Sequence, residues 1–169
     1  MPQFQDLLVE QLPHLRACAR MLARNPTLAD DLVQETVLRA LTNVEKFAPG
    51  TNLKAWLATI LRNQFYNELR GRARRAAYAD ALPPLAGCDG DQEARLALRE
   101  FERAYFSLPA AQREALLLVG ASGFSYEEAA QIVGCAEGTI KSRVSRARVE
   151  LERRLGEAKR STADLRFAA

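Results

Sequence analysis

The sequence predicts an all-α protein of two small helical domains, and three observations carry that expectation. Apolar residues recur at spacings of three and four along most of the chain, few segments alternate with period two, and proline and glycine gather between the two halves. The gathering point, ADALPPLAGCDGD (residues 79–91), holds Pro83-Pro84, Gly87 and Gly90 and reads as an interdomain linker. The expected layout is a first domain over 1–76, a linker over 77–92, a second domain over 93–160 and a C-terminal tail over 161–169. A chain of 169 residues, 48% apolar and 27% charged, can bury a core in two such pieces.

The first expected helix runs from Phe4 to Arg24 with Leu8, Leu12, Leu15, Ala19 and Leu22 on its inner side, and Asn25-Pro26 stops it. Thr27 is the expected cap of the second, with Asp30 near the positive end of the helix dipole. This helix should reach about Glu45 and bury Ala29, Val33, Val37, Ala40 and Val44. Its outer face carries Asp31, Glu35, Leu38, Arg39 and Thr42, with Gln34 beside them. The acids alone would suit an ordinary solvated face, but an apolar Leu38 among them suits a partner surface. Residues 47–50 break the helix, and Thr51 or Asn52 caps a third with Leu53, Leu57, Ile60 and Leu61 on one stripe. Along residues 53–75, Trp56, Phe65 and Tyr66 interleave with Lys54, Arg62, Asn63, Asn67, Arg70, Arg72, Arg74 and Arg75. Aromatic rings stack on unpaired bases while cations follow the phosphate backbone, and Asn63 suits a base edge. Core packing is the alternative for Trp56 and the expectation for Phe65.

In the second half, residues 93–106 and 109–119 read as helices, the latter with Pro109 near its first turn. Ser125 and Glu128 form an S-x-x-E capping box at the head of a short helix with Ala129, Ala130 and Val133 inward. Gly134-Cys135-Ala136 makes a turn, and a last helix follows from Glu137 or Gly138 to about Glu152. Ile140, Val144, Ala147 and Leu151 form its core stripe. Gly138, Ser142, Ser145, Arg146 and Val149 lie opposite, Thr139 and Lys141 lie on the edges, and Arg143 and Arg148 flank the core. A face of small residues and a few cations can enter the DNA major groove closely, as the second helix of a helix-turn-helix does.

Charge and composition exclude several function classes. The net charge of +3 divides as +4 over residues 1–76, −3 over 77–92, −2 over 93–136 and +4 over 137–169, so two basic surfaces flank an acidic middle, a pattern suited to a polyanion. No stretch approaches the roughly 20 apolar residues that span a bilayer, and the start PQFQDLLVEQL lacks the basic flank of a signal peptide. Cys18, Cys88 and Cys135 are far apart and the one histidine is His14, so metal-ligand spacing is absent and structurally neutral thiols in a reducing cytosol are expected. One histidine, no nucleophile motif and no phosphate loop leave little for catalysis, and neither an enzyme nor a cofactor is expected.

The motifs together resemble a bacterial RNA polymerase sigma factor of the extracytoplasmic-function (ECF) group. DDLVQETVLRA (Asp30–Ala40) resembles region 2.2, NLKAWLATILRNQFYNELR (Asn52–Arg70) regions 2.3 and 2.4, and LPAAQREALLL with SYEEAAQIVGCAEGTIKSRVSRAR region 4. More narrowly, LPHLRACAR, PGTNLKAWLATILRNQFYNELR and LLVGASGFSYEEAAQIVGCAEGTIKSR look like the EcfG-type general stress response subgroup. The resemblance implies that Asp31, Gln34, Glu35, Leu38 and Arg39 dock on the β′ clamp coiled coil of core RNA polymerase, with the β subunit a further contact. It implies that Lys54, Trp56, Arg62, Asn63, Tyr66, Asn67 and Arg70 open and hold the −10 element. Thr139, Arg143 and Arg148 would touch −35 phosphates, and Lys141, Ser142, Ser145 and Arg146 its bases. It further implies a NepR-type anti-sigma factor, displaced by a PhyR-type response regulator. A sigma-like decoy that only sequesters the anti-sigma factor is the alternative.

Overall fold

The computed structural model describes residues 4–75 and 92–167, and all ordered elements among them are helical. The helices are α1 (Phe4–Ala23), α2 (Pro26–Thr42), α3 (Leu53–Arg75), α4 (Gln92–Phe106), α5 (Ala110–Leu116), α6 (Tyr126–Val133) and α7 (Glu137–Phe167). They fall into two compact units, one built on α1–α3 and one on α4, α5, α7 and the first part of α6. Most of the expected linker lies outside the described residues.

In the first unit α1, α2 and α3 pack on one another around Leu8, Leu15, Ala19, Leu28, Leu32, Val33, Leu57, Leu61 and Phe65, all buried. Phe65 belongs to this core as its sequence position suggests. The cap of α2 differs from expectation: Asn25 does the capping, its Oδ1 accepting from Leu28 N–H at 3.0 Å, with Pro26 as the first helical residue. Proline suits that position because its missing N–H would have no helical partner there. The buried side of α2 is also wider than one stripe, because α1 and α3 both cover it. Leu28, Leu32 and Thr36 are buried with Ala29, Val33 and Ala40, whereas Val37 is half-buried. Val44 is exposed because α2 ends at Thr42 and a 3₁₀ turn over Val44–Lys46 carries it off the helical phase. Leu12 is half-buried rather than core. Asn52, not Thr51, caps α3, accepting from Ala55 N–H at 3.1 Å.

His14 lies beside this core, its Nε2 3.4 Å from the Sγ of buried Cys18. Burial, and after it the charge of Lys54, lowers the pKa of the imidazole. The unfolded chain therefore binds a proton more readily than the folded one, and stability falls as pH drops through about 6.5. Thermal melting should show a lower melting temperature at pH 5.5 than at pH 7.5. His14→Gln should flatten that dependence, and an unchanged slope in the variant would assign the effect to other groups.

In the second unit α5 and α4 pack on α7 around Tyr105, Leu108, Ala115, Ile140, Val144 and Ala147. Pro109 stands at the N-cap of α5, beside its first turn as expected. Arg113 closes the α4–α5 turn, Nη1 donating to the carbonyl of Phe106, the last residue of α4, at 3.3 Å and to that of Leu108 in the turn at 3.2 Å. The helical run expected to Val119 changes to a wider π turn over Leu117–Ala121, closed by Ser122 N–H on Leu117 C=O at 2.9 Å. At the head of α6 the capping box is complete: Ser125 Oγ accepts from Glu128 N–H at 3.0 Å, and the Glu128 carboxylate accepts from Ser125 N–H at 2.9 Å. Ser125→Ala should cost about 1 kcal/mol, read as severalfold faster amide exchange over Tyr126–Glu128 in the full chain. An unchanged rate would remove the box as the anchor of α6.

Ala129, Ala130 and Ile132 are buried on α6, while Val133, expected inward, is half-buried. Gly134, at φ +77°, makes the turn to α7, a backbone geometry that disfavours any side chain. On α7, Leu151 is half-buried, closing the expected stripe more loosely than Ile140, Val144 and Ala147. The helix does not stop near Glu152 but runs on to Phe167, through most of the expected tail. Salt bridges brace the extension, with Arg153 bonded to Glu150 at 2.6 Å and Glu157 at 2.5 Å, and Arg154 to Glu150 at 2.6 Å. The hydrogen bonds from Arg153 and Arg154 pull the Glu150 carboxyl down to about 2.

Candidate nucleic-acid interface

The first unit carries a pocket of about 220 Å³ between α2 and α3, lined by Arg39, Asn43, Lys46, Trp56, Ile60, Asn63 and Gln64. Trp56, Ile60 and Asn63 share a wall because they follow one another at four and three residues along α3. Trp56 is half-buried and held from behind by aromatic contacts with Phe47, centroids 5.4 Å apart, and Phe4, 6.2 Å apart. Lys46 Nζ bonds Asn43 Oδ1 at 2.5 Å at the rim. The arrangement offers an apolar wall for the face of a planar ring, amides for its edge and cations for a neighbouring phosphate.

Of the residues expected at the −10 element, the structure brings Trp56 and Asn63 to this pocket and leaves the others elsewhere. The Arg62 guanidinium lies 4.7 Å over the Tyr66 ring, and Arg70 Nη2 bonds Asn67 Oδ1 at 2.5 Å, both on α3 beyond the pocket wall. Lys54 is half-buried close enough to His14 to depress its basicity. Sequence reasoning missed Asn43, Lys46 and Gln64, which no local motif singles out.

On the outer side of α2, Asp31, Gln34 and Leu38 are exposed, Leu38 by 56%. Leu41, 41% exposed, enlarges the apolar patch by a residue that the sequence did not single out. Glu35 and Arg39 are joined by an ion pair, Oε1 to Nε 2.7 Å. Arg39, expected with the docking face, thus also lines the pocket.

In the second unit Ser145, Arg146, Arg148 and Val149 are exposed on α7. Ser145, Arg146 and Val149 border a groove of about 490 Å³ completed by Ser107, Pro109, Gln112, Glu150 and Arg154. Lys141 Nζ bonds Glu137 at 2.6 Å and sits 5.7 Å over the Tyr126 ring, and the Glu137 hydrogen bond raises its pKa, keeping it cationic. Ser142 is half-buried with its hydroxyl donating to Thr139 C=O at 2.9 Å, and Thr139 and Arg143 are half-buried too. The side chains aimed outward are therefore fewer than the sequence face suggested. Among the described residues no His, Cys, Asp or Glu cluster could hold a metal, and no helix is long and apolar enough to cross a membrane.

The model of Sigma-70 region 2 matches residues 8–75, and that of Sigma-70, region 4 matches residues 98–151. The chain is 54% identical over 152 residues to the ECF RNA polymerase sigma factor EcfG of Rhodopseudomonas palustris, covering 87% of this chain and 82% of that one. The chain belongs to the ECF sigma factors. Among solved structures, this sigma factor is similar to the sigma factor RpoE of Bartonella quintana, solved with the anti-sigma factor NepR, at 47% identity and a TM-score of 0.83 over 92% of this chain and 98% of that one. It shares its fold, at 21% identity and a TM-score of 0.67, with a chain of the PhyRSL–NepR complex of Sphingomonas sp. Fr1, over 92% and 90% of the two chains. Region 2 of the sigma factor thus contains the α2–α3 pocket, and region 4 the helix-turn-helix and the greater part of its groove.

Proposed function

We propose that this sigma factor confers promoter specificity on core RNA polymerase by holding two promoter elements with two kinds of chemistry. The α2–α3 pocket takes an unpaired base of the −10 strand, and α7 lies in the major groove of the −35 duplex. The observation that carries the reading is the pocket itself, where Trp56 and Asn63 are paired with the cations of Arg39 and Lys46. Extruding a base costs a few kcal/mol, and stacking returns roughly 1–3 kcal/mol per base, with phosphate contacts adding to it. On α7, Arg146 and Ser145 are the base-facing groups, Lys141 reaches the groove edge, and Thr139, Arg143 and Arg148 suit phosphates. Ser142, bonded to Thr139, contributes a small surface beside the bases more than a reading group.

The exposed face of Asp31, Gln34, Glu35 and Leu38 docks on the β′ clamp coiled coil, and the β subunit is a second contact. A NepR-type anti-sigma factor restrains the chain and a PhyR-type response regulator releases it, in a cytoplasmic general stress response. The RpoE–NepR pairing at 47% identity supports this assignment. The protein acts by positioning polymerase and carries out no chemistry of its own. A sigma-like decoy is less favoured, since the resemblance to the chain of the PhyRSL–NepR complex extends to the fold alone, whereas that to sigma factors holds at 54% and 47% identity. Run-off transcription with core polymerase on a promoter library tests the reading. Start sites sharing a −35 and a −10 sequence are expected. Tight anti-sigma binding without any transcript would sink it in favour of the decoy.

A further inference from the structure

We propose that Gln64 is a positioning residue. Its buried carboxamide, together with the Glu35 carboxylate, turns Arg39 from the polymerase-facing side of α2 into the α2–α3 pocket, where the guanidinium holds the phosphate beside the unpaired base. The inference rests on the sigma-factor reading above and assigns within it a residue that neither α2 nor the α3 face marks by sequence. Glu35 stands one turn before Arg39 and fixes its Nε edge at 2.7 Å. That pair alone is weak as an orienting device, since both side chains are about half exposed, 53% and 44%, and exposed pairs exchange readily with water.

Gln64 changes this. It is only 7% exposed and projects from α3 rather than α2. Its amide nitrogen lies 3.4 Å from Glu35 Oε1, and with the carboxamide turned over its oxygen accepts from the Arg39 guanidinium. A buried amide needs its hydrogen-bond partner, so this contact carries a penalty for leaving that a surface pair lacks. Arg39 is thereby held from two helices, among the residues that line the pocket with Trp56 and Asn63. Glu35 takes the Nε–H and the Gln64 oxygen faces both Nη groups, at 3.1 and 3.2 Å, so one N–H on each Nη is left for an oxyanion. Trp56 and Ile60 supply the wall for the base, and Lys46 a second cation.

The test uses holoenzyme assembled from the full chain and core polymerase, with Gln64→Met, Arg39→Ala and the double variant. Binding to core polymerase, to −35 duplex and to a single-stranded −10 oligonucleotide is measured across salt concentrations. Gln64→Met should leave core and −35 binding within about twofold and weaken the −10 strand about tenfold, equally for every base at the extruded position. Arg39→Ala should lower the salt slope of strand binding by about 0.7, and the double variant should bind no more weakly than Arg39→Ala. A loss of core binding with strand binding intact would return Arg39 to the docking face and overturn the proposal. Multiplying losses in the double variant would overturn it as well. If Gln64→Met lowers the melting temperature, Gln64→Glu keeps an acceptor for Arg39 and should retain strand binding; loss there is equally fatal. A parent protein that binds neither core polymerase nor the −10 strand would instead refute the sigma-factor reading itself.

Discussion

Leu38→Glu is expected to weaken binding to core RNA polymerase by about tenfold or more while the melting temperature stays within about 2 °C of the parent. Leu38 stands on the outer side of α2. It is 56% exposed on α2, beside Leu41 at 41%, so a carboxylate there meets water in the free protein and loses no core contact. In the docking proposed above the same position would be buried, and an unpaired charge at the centre of an apolar contact is strongly unfavourable. Fluorescence anisotropy of labelled chain against core polymerase reads the first effect and differential scanning calorimetry the second. A large fall in melting temperature would make Leu38 part of the core, and unchanged polymerase affinity would move the docking surface off this face.

The second large effect falls on α7. Arg146→Ala should cost about 1–3 kcal/mol on cognate −35 duplex and relax the preference at one base position. Arg148→Ala should weaken all sequences alike and reduce the salt slope by about 0.9. The two differ in surroundings. Arg146 borders the groove with Ser145, Val149 and Gln112, next to the small-residue face that lets a helix approach base edges, whereas Arg148, also exposed, flanks the core stripe. Binding to a panel of single-base −35 variants at several salt concentrations separates these outcomes. If Arg146→Ala weakens every duplex equally, Arg146 is a phosphate contact and the reader lies elsewhere on α7.

Features closed within a few residues are legible in the amino-acid sequence. The Ser125–Glu128 box forms as its spacing demands, because both partners lie within one helical turn. Ile140, Val144 and Ala147 are buried because period 3.6 puts them on one side of one helix. The cap of α2 falls two residues from the expected one, on Asn25 in place of Thr27, since both are good capping residues and only the backbone turn after Arg24 selects between them. Val44 departs from its expected burial for a related reason: the helical phase that would bury it ends at Thr42.

The site divides along the same line. Trp56 and Asn63 stand out because an aromatic and an amide sit seven residues apart on one helix, and Arg146 because its helix carries a small, cationic face. The partners that complete each site leave no such mark. Arg39 meets Gln64 from 25 positions away, and Gln112 joins the Arg146 groove from 34 positions away. By itself the sequence determined the helices, the two-domain plan and the family, because capping and amphipathic period are local and a motif order survives translation into pattern. The tertiary structure alone decided which polar side chains converge, because that depends on how α2 lies against α3 and how the α4–α5 turn lies against α7. Helix packing, unlike helix formation, leaves no fixed spacing in the chain.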